Sequence, residues 1–434
     1  MTVREVILHP VAMPLVRPFE TSFGTQTLRA AVLVELHTLR GAVGWGEVTA
    51  DWAPGYSYET VHTALHVLSD FLIPRLMAAP RLMLDGRWPW LSSVRGHPLA
   101  KHALVSAILS AVAEEQELPF ADLLLRLSST RQRRTAAEVG VSIGVQPTIR
   151  HTLEAIEQHL AEGYRRIKLK IKPGWDVIVL RGVRAVYPDI TLMADANSAY
   201  TLADLPMLKQ LDEFNLLMIE QPLAYDDIYH HSLLQKELNT PLCLDESIHS
   251  LGDVQLAWEL GACGVINLKP QRVGGFFEAV RIHDFCLENS IPLWVGGMLE
   301  TGVGRAASLA LACLPGITLP SDLSATARYY DPDLADPPFV LEASSSTLSL
   351  PEGPGLGIAI VPERLQARKA PLSSKCGSNA DHEVLHPGRT TRATRTGARF
   401  LPLLARLYER RPHRGGALGP DVDVLPATPG GFGQ

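Results

Sequence analysis

Residues 164–176 read YRRIKLKIKPGWD. Within them Ile167, Lys168, Leu169, Lys170, Ile171 and Lys172 alternate, so in an extended strand the three ammonium groups share one face and the aliphatics the other. A strand with a lysine face has two readings. At a sheet edge the lysines would sit in water and discourage pairing with another chain. In a closed barrel one face must look inward, and lysines placed there are chemical. The surrounding sequence decides between the two.

From about Val139 onward, short apolar runs alternate with amphipathic stretches. The runs VGVSIGV, RIKLKI, TLMADAN, LLMIEQP, PLCLDES, GVINLKP and PLWVGGM predict strands, with a weaker eighth in TLPSDLS. Between the first two, TIRHTLEAIEQHLAEG sets Ile149, Leu153, Ile156 and Leu160 at helical spacing and stops at Gly163. TLADLPMLKQLDEF predicts another helix, opened by Thr201 and Asp204 in capping-box positions, with Pro206 in its first turns. Strands that alternate with helices pair in parallel through right-handed crossovers, and eight of them make a (β/α) barrel. Lys170, Asp195, Glu220, Asp245 and Lys269 then recur at separations of 25, 25, 25 and 24 residues, one βα unit each time. An ionisable group thus closes five successive strands, on the rim where barrel active sites are built.

The region before about residue 135 alternates as strands up to GAVGWGEVTA and turns helical in stretches such as TVHTALHVLSDFLIPRLM. The expected organisation is an α+β capping domain over residues 1–135 and a (β/α)7β-type barrel over 136–321. A segment over 322–365 returns to the cap, and residues 366–434 form a weakly structured tail. The net charge of −6 argues against a nucleic-acid or membrane-surface role for the whole chain. The tail differs: from Gln366 on, 11 Lys and Arg face 5 Asp and Glu, leaving +6 there and −12 elsewhere. It lacks interleaved aromatics or a nucleic-acid motif, so no nucleic-acid partner is expected. Five scattered cysteines fit neither a zinc site nor a disulfide framework. With no apolar run of membrane length and a strand-like start, MTVREVILHPVAMPLV, a cytoplasmic protein is expected.

Asp195, Glu220 and Asp245 gather three carboxylates at one rim, where they repel unless something positive lies between them. Oxygen ligands without neighbouring His or Cys point to a hard cation, Mg²⁺ or another divalent ion such as Mn²⁺. Lys168 and Lys170 lie on the second strand and Lys269 on the sixth, across the barrel, so a substrate held at the cation would meet an amine on each side. A carboxylate substrate is the expected handle, since the cation would stabilise the charge left when its α-proton departs. An ordinary lysine, with a pKa of roughly 10.4, is a poor base at neutral pH. Lys168 beside Lys170 is expected to lower that value by like-charge repulsion.

The stretches KLKIKPGWD, DANSAYTL, IEQPLAYDD, CLDESI, INLKPQRVGG and GGMLETGVGRA resemble the enolase superfamily, in its muconate-lactonizing subgroup and the o-succinylbenzoate synthase and N-acylamino acid racemase branch. The resemblance spans roughly residues 4–364, and a lysine base working with Mg²⁺ is that superfamily's general pattern. It implies Asp195, Glu220 and Asp245 as metal ligands, Lys170 and Lys269 as the acid/base pair, Lys168 as the assistant of Lys170, and Asn197 as support for the metal side. It also implies homo-oligomers and two kinds of activity: dehydration of a cyclohexene carboxylate to o-succinylbenzoate, in menaquinone biosynthesis, or racemisation of an N-acylated amino acid. A dipeptide epimerase shares the same framework. Cap loops set specificity in this family, which makes Phe19 and Phe23 in RPFETSFGTQT, and Tyr56 in TADWAPGYSYET, expected substrate contacts. Ser142, Gly296 and Met298 join them, whereas Gly274 and Gly275 serve the turn after the sixth strand. The rival enzyme class is a barrel aldolase with a Schiff-base lysine, against which the carboxylate triad speaks.

Overall fold

The first 48 residues build the cap's sheet. β1 (Val3–Thr21), β2 (Gly24–Thr38) and β3 (Val43–Val48) pair antiparallel in chain order. A helix, α1 (Pro98–Glu115), lies on this sheet at backbone contact distance. The glycines of VGWGEV permit it: a Cβ on Gly46 would stand 1.9 Å from the Ala103 carbonyl oxygen, and one on Gly44 2.1 Å from that of Ala107. Alanines at 100, 103, 107 and 111 complete the close face and are buried. The computed structural model describes residues 1–370, apart from 23, 80, 81, 83, 85 and 87.

The barrel follows. β4 (Val141–Ile143), β5 (Arg166–Lys170), β6 (Thr191–Asp195), β7 (Ile219–Glu220), β8 (Leu242–Leu244), β9 (Val265–Leu268) and β10 (Leu293–Val295) lie side by side in chain order, all parallel. The eighth predicted strand is not one. Residues 318–324 instead close the ring through single bonds: Gly140 N donates to Ser321 O at 2.8 Å, Ser321 N to Glu138 O at 2.9 Å and Asp322 N to Val295 O at 2.9 Å. Pro320 brings no donor, and the Ser321 hydroxyl takes the Val295 N–H at 3.1 Å, so a regular ladder gives way to side-chain bonding.

β5 has a hydrogen-bonded strand on each side and every residue of it is buried, which rules out the edge-strand reading. Lys168 stands in register with Ser142 and with Met193. Met193 belongs to a cluster with Met218, Cys243, Val265 and Trp294 that is separate from the main core and fills the barrel interior. Lys168 therefore points inward, and so does Lys170 two residues on. Lys172 does not share their site: β5 ends at Lys170, and the Lys172 ammonium meets Glu20 of β1 at 3.1 Å, partly exposed. The alternation in the sequence outlasts the strand.

α2 (Ile149–Glu162) opens on Thr148, whose hydroxyl accepts from His151 N, and closes on Gly163. The second predicted helix is broken into a 3₁₀ turn (Leu202–Asp204), α3 (Leu205–Leu208) and a 3₁₀ stretch (Lys209–Phe214). Its capping box is present, with Thr201 N donating to Asp204 Oδ2 at 2.8 Å. Pro206 lacks the N–H that would carry an α-helical ladder through the first turn.

Cap and barrel are bolted together. Glu47 of β3 accepts from Thr301 N (3.0 Å), Thr301 Oγ1 (2.7 Å) and Gly304 N (2.9 Å) at the start of α4 (Gly302–Ala312), satisfying that helix's open donors. His102 of α1 bonds the Pro270 carbonyl beside Lys269. After the barrel the chain returns to the cap: Val16 N donates to Tyr329 O at 2.9 Å, and α5 (Pro362–Arg368) lies on β1. Ala370 N then donates to Pro10 O at 2.9 Å on the outer edge of β1. The chain thus stays built through residue 370, past the expected start of the tail at 366, because these residues cover an open strand edge; 371–434 lie outside the described residues. Among the described residues no helix is long and apolar enough to cross a membrane.

Candidate active site

Lys170, Asp195 and Glu220 are the last residues of β5, β6 and β7, and Asp245 and Lys269 directly follow β8 and β9. All five are buried. The Lys170 ammonium donates to Asp195 Oδ2 at 2.6 Å and Asn197 Oδ1 at 2.7 Å. Lys168 reaches Asp195 Oδ2 (3.2 Å), Glu220 Oε2 (3.1 Å) and Asp322 Oδ2 (2.6 Å). On the opposite wall Lys269 donates to Asp245 Oδ2 at 2.8 Å and to the Tyr56 hydroxyl at 3.1 Å. Three strands separate Lys170 from Lys269 in the sheet order, with the carboxylates between them.

The carboxylates differ in their electrostatics. Burial, then the charges of Asp195 and Asp245, push the Glu220 carboxyl well above its usual range despite Lys168. The neighbouring Glu246, buried and beside Asp245, is pushed up to about 8 for the same reasons. Burial also opposes charge on Asp195, but Lys170 and Lys168 hold that carboxyl well below the ordinary range. Among the described residues no three acidic, His or Cys side chains stand ready as a metal cage; Asp195 and Asp245 are turned onto lysines, and Asp245 also onto Arg272. The donor set nonetheless suits a hard divalent cation: three buried carboxylates with oxygen ligands only, of which burial and its acidic neighbours push that of Glu220 upward.

Lys168, expected as the charged neighbour of Lys170, is itself held in its charged form. Burial works against its charge, yet Asp322, Glu220 and Asp195 hold it well above the ordinary value, so it stays an ammonium. Lys269 behaves likewise, burial being outweighed by Asp245 and Tyr56.

Several supporting groups went unread in the sequence. Arg272 pairs with Asp245, reaches the Tyr56 hydroxyl at 3.2 Å and is pinned by the carbonyls of Ile248 and Asn267, both at 2.5 Å. Asn267 donates to Glu220 Oε1 at 2.6 Å, two residues before Lys269 and so on the same strand face. Glu246 takes the Asn197 amide N–H at 3.1 Å, which leaves the amide oxygen for Lys170. Asn267 and Arg272 flank Lys269 in INLKPQR, where strand alternation could have found the first of them.

The cap reaches the same place. Tyr56 donates to Asp245 Oδ1 at 2.9 Å, and the Ser22 hydroxyl to the Asn197 carbonyl at 3.1 Å. Phe19 is buried edge-on to Tyr329, with ring centroids 6.2 Å apart, and Arg328 packs over it. Phe23 lies outside the described residues. Ser142 is buried on β4 beside Lys168, its hydroxyl without a hydrogen-bond partner among the described residues. Gly296 serves space: a Cβ there would come within 2.2 Å of Asn267 Oδ1 and 2.5 Å of Lys269 Cε. Met298 is buried, its N–H given to Glu300 at 2.9 Å. Gly274 and Gly275 both have positive φ, at 85° and 130°, in the turn after β9. A cavity of about 810 Å³ is walled by Arg272, Tyr58, Trp88, Lys101, Tyr225 and His249, and none of Lys168, Lys170 and Lys269 lines it.

A capped (β/α)7β barrel with this lysine and carboxylate rim defines an enolase-type enzyme. Family comparison agrees: the model described as mandelate racemase / muconate lactonizing enzyme, N-terminal domain, matches residues 3–124, and that described as enolase C-terminal domain-like matches 151–364. An o-succinylbenzoate synthase of Geobacillus stearothermophilus is 48% identical over 82% of this chain and 93% of its own. An N-succinylamino acid racemase of an Amycolatopsis species is 48% identical over 84% of this chain and 97% of its own. The crystal structure of an enolase superfamily member from Listeria innocua superposes with a TM-score of 0.81 at 35% identity, covering 89% of this chain and 99% of that one. The chain belongs to the o-succinylbenzoate synthase and N-succinylamino acid racemase family of the enolase superfamily, and it is an enzyme of that kind.

Proposed function

We propose that this enzyme takes the α-proton from a small carboxylate, with Lys170 acting on one face of the α-carbon and Lys269 on the other. The observation that carries the reading is the placement of two buried lysines on opposite barrel walls with the carboxylate arc between them. Asp195, Glu220 and Asp245 would hold Mg²⁺ or a similar ion such as Mn²⁺, which supplies stabilisation of the negative charge developing on the substrate carboxylate. Lys170 in its neutral form accepts the proton, and Asn197 Oδ1 orients its nitrogen. Lys269, held by Asp245 and Tyr56, delivers a proton to the opposite face. With an N-succinylamino acid this is racemisation.

The same frame supports the second activity borne by the relatives' names. There Lys170 removes the α-proton of a cyclohexene carboxylate, hydroxide leaves and the ring becomes aromatic as o-succinylbenzoate. In this reading Lys269, paired with Asp245 at 2.8 Å, stays a cation throughout. Dipeptide epimerisation is the remaining alternative. The reading includes a cytoplasmic location and a homo-oligomer.

Proton NMR in D₂O with Mg²⁺ tests it, using both enantiomers of N-succinylphenylalanine, the cyclohexene precursor and a dipeptide. Deuterium at the amino acid α-carbon with loss of optical purity establishes two-base racemisation. Turnover of the precursor alone establishes a dedicated synthase. Inertness toward every substrate, with no effect of EDTA, refutes the proposal.

A further inference from the structure

We infer that Asp322 is a positioning residue that keeps Lys168 and Lys170 apart, so that only Lys170 takes the productive place on Asp195. The inference rests on the two-base reading above. Lys168 and Lys170 point at the same atom, Asp195 Oδ2, at 3.2 and 2.6 Å. Two ammonium groups on one oxygen compete, and the contact lengths show which prevails. What draws Lys168 aside is Asp322 Oδ2, at 2.6 Å its shortest contact. The other two carboxylates touching Lys168, Asp195 and Glu220, belong to the arc assigned to the cation. Asp322 alone does not.

Asp322 is well fixed for the task. Its second oxygen pairs with Arg166 Nη1 at 2.9 Å, and Arg166 Nη2 donates to the Pro320 carbonyl at 3.2 Å, gripping the same segment twice. The segment's own backbone is tied to β10 through Asp322 N and Val295 O. Beneath lies the Trp294 ring, 5.7 Å from the Arg166 guanidinium and 4.9 Å from the Lys168 ammonium, so both cations rest on one aromatic face. Arg166 and Trp294 are buried, and the Asp322 side chain is 8% exposed. This is a buried scaffold, built on three elements, whose free end is Lys168. It also accounts for the irregular eighth wall: residues 318–324 give up a regular ladder and deliver a carboxylate inward.

The consequence is one-sided. Loss of the Asp322 charge releases Lys168 onto Asp195 and crowds Lys170, while Lys269, across the barrel on Asp245 and Tyr56, is untouched. The test is solvent deuterium exchange at the α-carbon of each enantiomer of N-succinylphenylalanine, measured separately. Lys170→Ala and Lys269→Ala identify which enantiomer each lysine serves. For Asp322→Asn the expected result is at least a tenfold loss of exchange on the Lys170 enantiomer and less than a twofold change on the other. Asp322→Glu retains the charge on a longer arm, folds under the same salt-bridge constraints and should show the same one-sided loss to a smaller degree. Equal losses on both faces, or none, in whichever of the two variants folds, overturn the inference while leaving the two-base reading standing. Wild-type enzyme that exchanges neither enantiomer overturns that reading, and this inference with it.

Discussion

The hydroxyl of Tyr56, from the cap, donates to Asp245 Oδ1 at 2.9 Å, while Asp245 Oδ2 receives the Lys269 ammonium at 2.8 Å. One carboxylate at the barrel rim therefore joins the cap to Lys269. Tyr56→Phe removes the donor and keeps the ring 4.3 Å from the Lys269 ammonium. A hydrogen bond to a charged group is worth about 1.5–3 kcal/mol. We expect kcat/KM to fall roughly ten- to hundredfold; steady-state kinetics decide it.

Replacing either base should divide the reaction by face. Lys170→Ala and Lys269→Ala are each expected to lower racemisation by about 10² to 10⁴. Each should leave deuterium exchange with one enantiomer only. Exchange of both enantiomers in either variant would contradict the assignment of one lysine to each face.

Gly296 gives a subtler handle on the same base. A methyl group there stands 2.5 Å from Lys269 Cε and 2.2 Å from Asn267 Oδ1, so the lysine must shift. A displacement near 1 Å in a catalytic group costs on the order of a hundredfold. Gly296→Ala should therefore reduce exchange on the Lys269 face far more than on the Lys170 face, a comparison that general misfolding would not produce.

Titration calorimetry with Mg²⁺ checks the carboxylate arc without recourse to turnover. Binding is expected for the wild type, weakened at least tenfold in Glu220→Gln, where one anionic ligand becomes neutral. In parallel EDTA should abolish exchange and added Mg²⁺ restore it.

Stability should depend on pH through buried histidines. Burial, only partly offset by the bond to Pro270, depresses His102 to about 3, and burial depresses His231 to about 4. A depressed group stabilises the fold above its unfolded pKa of roughly 6.5 and loses that contribution as pH falls toward the folded value. At pH 5 each histidine then costs roughly 2 kcal/mol relative to pH 8. Glu47 and Glu59, both pushed up to about 7 chiefly by burial, act in the opposite sense, their contribution being lost as pH rises through 7. The clean measurement is a difference: urea midpoints at pH 8 and pH 5 for the wild type and His102→Asn, whose loss between the two should be the smaller.

How much of this was legible depended on whether a residue's partner lay nearby along the chain. The rim of Lys170, Asp195, Glu220, Asp245 and Lys269 could be read because a βα unit has a nearly constant length, which turns a spatial ring into a sequence period. The fate of Lys172 could not, because the alternation of KLKIK continues past the point where β5 stops pairing. Asp322 and Arg166 form one ion pair from positions 156 residues apart, and no local pattern announces such a meeting. The breaks at Pro206 and Pro320 were visible as prolines, but what took the place of the lost backbone bonds depended on tertiary contacts. Lys168 shows the same limit: its neighbour Lys170 is visible in the sequence, whereas the three carboxylates that the folded barrel sets around it are not.

The outer edge of β1 is covered by residues that come after the whole barrel, with Ala370 bonded to Pro10. A ribosome makes β1 early and its cover late, so throughout synthesis of the barrel a strand of 19 residues must wait with an open side. Such an edge invites other nascent chains to pair with it. Three prolines, Pro10, Pro14 and Pro18, interrupt its row of donors. They make the waiting strand a poor template for a stranger and leave its carbonyls for segments that arrive later from the same chain.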